Sequence, residues 1–232
     1  MTDLNIKEVL DFLKDLTANN NREWFNAHKD RYLEVKSIIE TLTAQMIAAV
    51  AEIDPRAASL RVSDCNYRIY RDTRFSKDKT PYKDHIGIFV NPPRGKKGLT
   101  CGYYLHLQPG GCFICGGTIC LPGPVIKAIR ADIRDNIEEY IEIVESPEFK
   151  KYFPTVGANP VKTAPQGFDR TWPYLDYVKP RDFLVEHPLS DKEVMKPDLI
   201  GRLRPCLSQI GRFLQFINYT VEPFDSPNQA ES

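Results

Sequence analysis

The chain has 232 residues, with 31 Lys and Arg against 31 Asp and Glu and 42% apolar residues, enough to bury a substantial core. A formal net charge of zero excludes attraction of the whole surface to nucleic acid or anionic membrane, so any such partner must be met by a local patch. Asp3, Glu8 and Asp11 interrupt the first apolar residues, unlike a secretory signal, and no uncharged apolar run is long enough to span a bilayer. A cytoplasmic location is therefore expected.

Ile6, Val9, Leu10 and Leu13 repeat at i, i+3, i+4 and i+7, which predicts an amphipathic helix. "NNNREW" interrupts it, with Asn20 placed to cap a second helix and Glu23 to complete a capping box. Apolar residues from Trp24 to Val50 predict one long helix, ended by Pro55. The chain then switches to short segments rich in aromatic and β-branched residues: "YRIYR", "HIGIFV", "GYYLHL" and "CFICGGTI". The links "NPPRGKKG" and "QPGG" suit an antiparallel meander of four strands.

Pro124 opens a helix striped by Val125, Ile129, Ile133, Ile137 and Ile141, with an acidic outer face. Residues 154–189 show little periodicity, which marks a functional loop or concealed short strands. Ser190 to Glu193 form a capping box before a last helix carrying Leu199, Leu203, Leu207, Ile210, Leu214 and Ile217, which Pro205 should kink. The expected class is α+β: a single domain over residues 1–222, with a largely antiparallel sheet packed by N-terminal and C-terminal helices, and a flexible tail over 223–232.

Without an export signal the six cysteines are expected to be reduced thiols. Cys112 and Cys115 form a Cys-x-x-Cys, but in a strand-like run rather than at a helix start, and without the second pair a zinc site wants. They read as small buried hydrophobes.

Charge is concentrated in "RIYRDTRFSKDKTPYK", residues 68–83, where six cations face only Asp72 and Asp78. Arg68, Arg71, Arg74, Lys77, Lys79 and Lys83 offer the donors that a phosphate or carboxylate wants. Tyr82, with Tyr70 and Phe75, can stack a ring or anchor the loop. Asp72, Asp78, His85 and His106 are the candidate acids and bases, the two histidines lying on strands that pairing would bring side by side. The structural alternative is internal pairing of these cations, although exposed ion pairs contribute only about 0–1 kcal/mol each.

Secondary candidates are Asn21 and Arg22 at a helix start, Trp24 and His28 on one helical face (where packing is the plainer reading), and Lys162 in the long loop. No Walker loop, nucleophile elbow or Rossmann fingerprint occurs, and neither a metal nor a cofactor is expected.

Three functions fit these residues. The first is a binding module for an anionic small molecule, or for a short nucleic acid, which the net charge does not favour. The second is an enzyme acting on a phosphorylated or nucleotide-like substrate. The third is a structural or adaptor protein whose basic segment is an internal salt-bridge network. The site is expected between the sheet and the 154–189 loop.

"NREWFNAHKDRY", "YRDTRFSKDKTPYKDHIGIFV", "GYYLHLQPGG", "IKAIRADI" and "KTAPQGFD" occur in that order. Together they resemble the bacterial and fungal family of domain of unknown function 2461 over nearly the whole chain. The resemblance implies one compact domain and brings no established activity, cofactor or catalytic residue. After "APQGFD" it leads one to expect "xxHP"; this chain has "RTWPYLDY", and His187 precedes a proline only eighteen residues beyond Asp169.

Overall fold

The computed structural model describes residues 4–74, 76–93, 95 and 98–225. Four strands, β1 (Ile86–Val90), β2 (Gly102–Leu107), β3 (Cys112–Thr118) and β4 (Phe183–Leu189), form one antiparallel sheet in that order. Helices flank it, and the class is α+β. The chain divides into two compact units, one of Met1–Lys96, Tyr104–Ile114 and Pro188–Arg204, the other of Lys97–Tyr103, Cys115–His187 and Pro205–Ser232.

In the first unit, α1 (Ile6–Ala18) buries Ile6, Val9, Leu10, Phe12, Leu13 and Leu16 on its predicted stripe. The segment expected as one helix after it is two, α2 (Arg22–Ala27) and α3 (Lys29–Ala51), separated at His28. Val35, Ile39, Leu42, Met46 and Val50 of α3 are buried. Each such side chain removed from water contributes roughly 1.5–3 kcal/mol. The short α4 (Val62–Cys65) leads back toward β1, and α9 (Asp191–Val194) carries the predicted Ser190–Glu193 capping box. "QPGG" turns β2 into β3, with Gly110 at φ +73° and its amide donating to the Asp191 carboxylate at 2.9 Å.

Asparagines 19–21 divide their work differently from the sequence expectation. Asn21 rather than Asn20 caps α2, its side-chain oxygen accepting from Trp24 N at 2.8 Å. Asn20 instead clamps Tyr82, donating to its carbonyl at 3.0 Å and accepting from its amide at 3.1 Å. Asn20→Ala strips both backbone groups of their partners beside a ring only 3% exposed. Leaving them unsatisfied should cost about 2 kcal/mol and lower Tm by about 4–8 °C, more than the loss of the cap in Asn21→Ala. Thermal unfolding of the two variants checks the order.

In the second unit the predicted 124–145 helix is α5 (Gly123–Asp135) and α6 (Ile137–Val144), divided at Asn136. The short α7 (Pro147–Lys150) and α8 (Leu175–Val178) follow. The 154–189 segment does conceal a strand, β4, as well as an Ala158–Asp182 bridge. The last helix, α10 (Leu199–Val221), runs on through Pro205. Tyr140, Phe149, Phe153, Phe183 and Phe213 are almost fully buried in this unit. Glu222–Asp225 form a helical turn in which the Asp225 carboxylate accepts from Leu99 N at 2.8 Å, so the first residues of the expected tail are fastened. Residues 226–232 lie outside the described residues, as do Phe75 and, in the "NPPRGKKG" link, Arg94, Lys96 and Lys97.

Candidate functional site in the first unit

The segment "YRIYR" has the composition of a strand but is no named strand: isolated bridges join Asn66, just before it, to Ile88 and its own Tyr70 to Tyr82. Six steps from Tyr82 to Ile88 oppose four from Asn66 to Tyr70, so the longer side must bulge. The excess is taken up by bends at Asp84 and His85. Bulges of this sort re-aim side chains away from the regular pleat.

Those two residues join a continuous hydrogen-bonded chain. His85 Nδ1 bonds Asp84 Oδ1 at 2.9 Å, and Gln108 Nε2 donates to Asp84 Oδ2 at 3.0 Å. Gln108 Oε1 meets His106 Nε2 at 3.0 Å, and His106 Nδ1 meets the Tyr104 hydroxyl at 3.0 Å. The donors assign themselves. An amide oxygen only accepts, so His106 carries its proton on Nε2 and takes the Tyr104 hydroxyl proton at Nδ1. The carboxylate only accepts, so His85 donates from Nδ1 and leaves Nε2 as the nitrogen with a lone pair. The rings also stack: His85 on His106 with centroids 4.5 Å apart, and His106 on Phe113 at 4.5 Å. The expected adjacency of His85 and His106 is present, with Tyr104, Gln108 and Asp84 as partners that sequence reading missed.

The hydrogen bond from His85 holds the Asp84 carboxyl below the usual carboxylate range. Burial pushes His106 below its ordinary value of 6.5. A histidine kept neutral by folding stabilises fully above pH 6.5, and the contribution is lost as pH falls toward the lowered folded value, where the unfolded chain binds the extra proton. Tm should therefore fall between pH 7 and 5, and His106→Gln should flatten that limb in a pH series of thermal melts.

His85 lines a cavity of about 730 Å³ bounded by α3, α4 and the segments on either side of the bulge. Lys36, Arg61, Arg68 and Lys83 also line it, against one carboxylate, Glu40, with Tyr32, Val35, Ile39, Tyr67 and Ile86 forming its apolar walls. Lys36 pairs with Glu40 at 3.6 Å and Arg61 with Asp64 at 3.0 Å. Lys83 sits 5.2 Å from the centre of the Tyr67 ring. Arg68 is exposed and, among the described residues, has no hydrogen bond or ion pair.

The loop that follows is different. Arg71 bonds the Asp78 carboxylate and the Thr80 hydroxyl, Arg74 grips Asp72 with contacts of 2.7 and 3.0 Å, and Lys79 donates to the Thr73 carbonyl at 2.9 Å. Arg71, with the Thr80 donors, holds Asp78 down at about 2. Asp72 is lowered chiefly by Arg74. These cations and both aspartates stitch the loop to itself, because each Asp lies two or seven residues from its arginine. Lys77 is exposed and does not line the cavity.

Other candidates take structural places. Tyr82 is packed in the core, stacked on Phe25 with centroids 4.1 Å apart, and is not open to a ligand. Asn21 is spent on its cap. His28 bonds the Trp24 carbonyl at 2.8 Å and stacks on that indole, as the packing reading expects. Arg22 is exposed at the start of α2, and Lys162 is exposed in the second unit. The cavity is lined by first-unit residues alone, and no residue of 154–189 contributes to it.

Cys65, Cys101, Cys112 and Cys206 are buried thiols, Cys115 is half-buried and pushed up to about 12 by burial, and Cys120 is exposed. Burial raises Cys101, Cys112 and Cys206 as it does Cys115, which leaves these four protonated at neutral pH and poor nucleophiles. Among the described residues no three His, Cys, Asp or Glu side chains converge as a metal set, and no helix is long and apolar enough to cross a membrane.

The model of a family described as conserved hypothetical protein (DUF2461) matches residues 8–216. The chain belongs to the DUF2461 family. No curated protein and no solved structure matches it. In this DUF2461 protein the match covers both the bulge and the histidine chain.

Proposed function

We propose that this protein binds a phosphate- or carboxylate-bearing small molecule in the first-unit cavity. One observation carries the reading: Arg68, exposed and with no hydrogen bond or close ion pair among the described residues, lines the same cavity as Lys83 and His85, while the neighbouring loop bonds its own arginines. A guanidinium and an ammonium at a partly apolar hollow suit an anion carrying a ring or short chain. The 71–80 loop is then a structural frame for the site rather than the site, which absorbs the salt-bridge alternative without extending it to the whole segment.

Thermal-shift titration with inorganic phosphate, pyrophosphate, AMP, ATP and citrate tests the reading. Ligand at a hundred times its Kd stabilises by about 2.7 kcal/mol, which for a chain of this size raises Tm by roughly 5–10 °C. At least one of these anions should do so, and a flat response to all of them defeats the proposal.

A further inference from the structure

We infer that the cavity is hydrolytic, with His85 the general base for attack of water on a phosphoester held by Arg68 and Lys83. The inference rests on the anion-binding reading and adds chemistry to it. The bulge turns Asp84 and His85 out of the ladder together. Asp84 Oδ2 is held by Gln108, so Oδ1 is left to accept the hydrogen bond from His85 Nδ1; Gln108 is itself held by His106, and His106 by Tyr104. A carboxylate fixed from behind, an imidazole fixed by the carboxylate, and a second ring nitrogen with no hydrogen bond among the described residues, on a side chain that lines a cationic cavity, are the parts of an oriented base. Packing alone does not require a chain of four bonds ending at a partly exposed ring.

The step balances with water as the only co-reactant. Water gives a proton to His85 Nε2 while its oxygen bonds phosphorus. The bond from phosphorus to the leaving oxygen breaks, and the departing alkoxide takes the proton from His85, which returns to neutral. Arg68 and Lys83 face the charge that develops on the non-bridging oxygens. Asp84 accepts the Nδ1 proton's hydrogen bond throughout and steadies the imidazolium. Asp84 and Gln108 act through His85 and are positioning residues.

The test uses the full chain with bis(p-nitrophenyl) phosphate, p-nitrophenyl phosphate and ATP, following nitrophenolate or phosphate release, beside the thermal shift given by inorganic phosphate. Saturable turnover is expected with at least one ester. His85→Asn and His85→Gln should each cut kcat by at least about 100-fold, within the range general-base catalysis supplies, while the phosphate-induced shift persists. Gln108→Ala should lower kcat with KM unchanged. A wild-type protein that is stabilised by phosphate but turns over none of the esters, or whose turnover survives both His85 changes, overturns the catalytic inference and leaves the binding reading standing. Loss of the phosphate shift in the wild type, with every other anion also inert, removes both.

Discussion

Gly117→Ala should be the most destabilising single change in the second unit, lowering stability by about 3 kcal/mol or more. Gly117 lies in β3 with φ +139°, a region that side chains rarely adopt. A Cβ there would stand 2.3 Å from the Phe183 carbonyl oxygen and 2.5 Å from Leu184 Cα. Both are backbone atoms of β4 and cannot rotate aside, so the strands would have to part. Conformational strain costs roughly 1–3 kcal/mol and overpacking about as much again. Against a typical total of about 5–15 kcal/mol, that is a large fraction of the stability. Tm should fall by roughly 6–20 °C. Gly123→Ala is the internal control, since no atom stands within 4 Å of its Cβ. It should be neutral or mildly stabilising, through a less flexible unfolded chain. Urea unfolding of both variants decides the matter, and a Gly117→Ala protein as stable as the control would mean that β3 and β4 do not approach so closely.

The parts of the fold legible in the sequence are those whose signal is local. The stripes of α1, α3, α5 and α10 follow from a 3.6-residue repeat, and the Ser190 box and the "QPGG" turn need only neighbouring residues. What failed to show depends on distant partners. β4 carries Phe183 and Val185 on its buried side, but the exposed Glu186 and the proline at 188 hide so short an alternation. "YRIYR" satisfies strand propensity, yet isolated bridges form only at Asn66 before it and at its Tyr70, because the facing segment is two residues longer. Three consecutive asparagines are equally good caps on paper; Tyr82, 62 residues away, claims Asn20.

The same distinction governs the candidate site. Composition located the cations of residues 68–83, and expected strand pairing put His85 beside His106, but neither could say which cations find carboxylates. Asp72 and Asp78 bond arginines inside their own loop, whereas Arg68 and Lys83 are the cations of this segment that line the cavity. Nor could it place Gln108 behind Asp84, since that contact depends on how β1 and β2 align. A plan drawn from sequence would mutate Arg74 and Lys79 to abolish binding. The geometry moves the expectation to other residues.

The double change Arg68→Ala with Lys83→Ala should weaken binding of the anion that stabilises the wild type by at least about 100-fold. Two charge-assisted hydrogen bonds contribute roughly 1.5–3 kcal/mol each, and every 1.4 kcal/mol is tenfold in Kd. Arg68 is exposed, so Arg68→Ala alone should move the melting temperature without ligand little, while Lys83→Ala also removes the ammonium over the Tyr67 ring and is melted separately. Arg74→Ala and Lys79→Ala should leave Kd within about threefold, because their bonds go to Asp72 and to the Thr73 carbonyl. Asp78→Ala separates frame from site in another way. Its folded carboxyl titrates at about 2, so its contribution is present above its ordinary 3.8 and is lost as pH falls through about 2. Removing it leaves Arg71 only the Thr80 hydroxyl and loosens the loop at neutral pH without touching the cavity's cations. Isothermal titration of the four variants, each beside its own unfolding curve, distinguishes the cases: if Arg74→Ala loses the ligand and the Arg68/Lys83 change does not, the site lies on the loop and the cavity assignment is wrong.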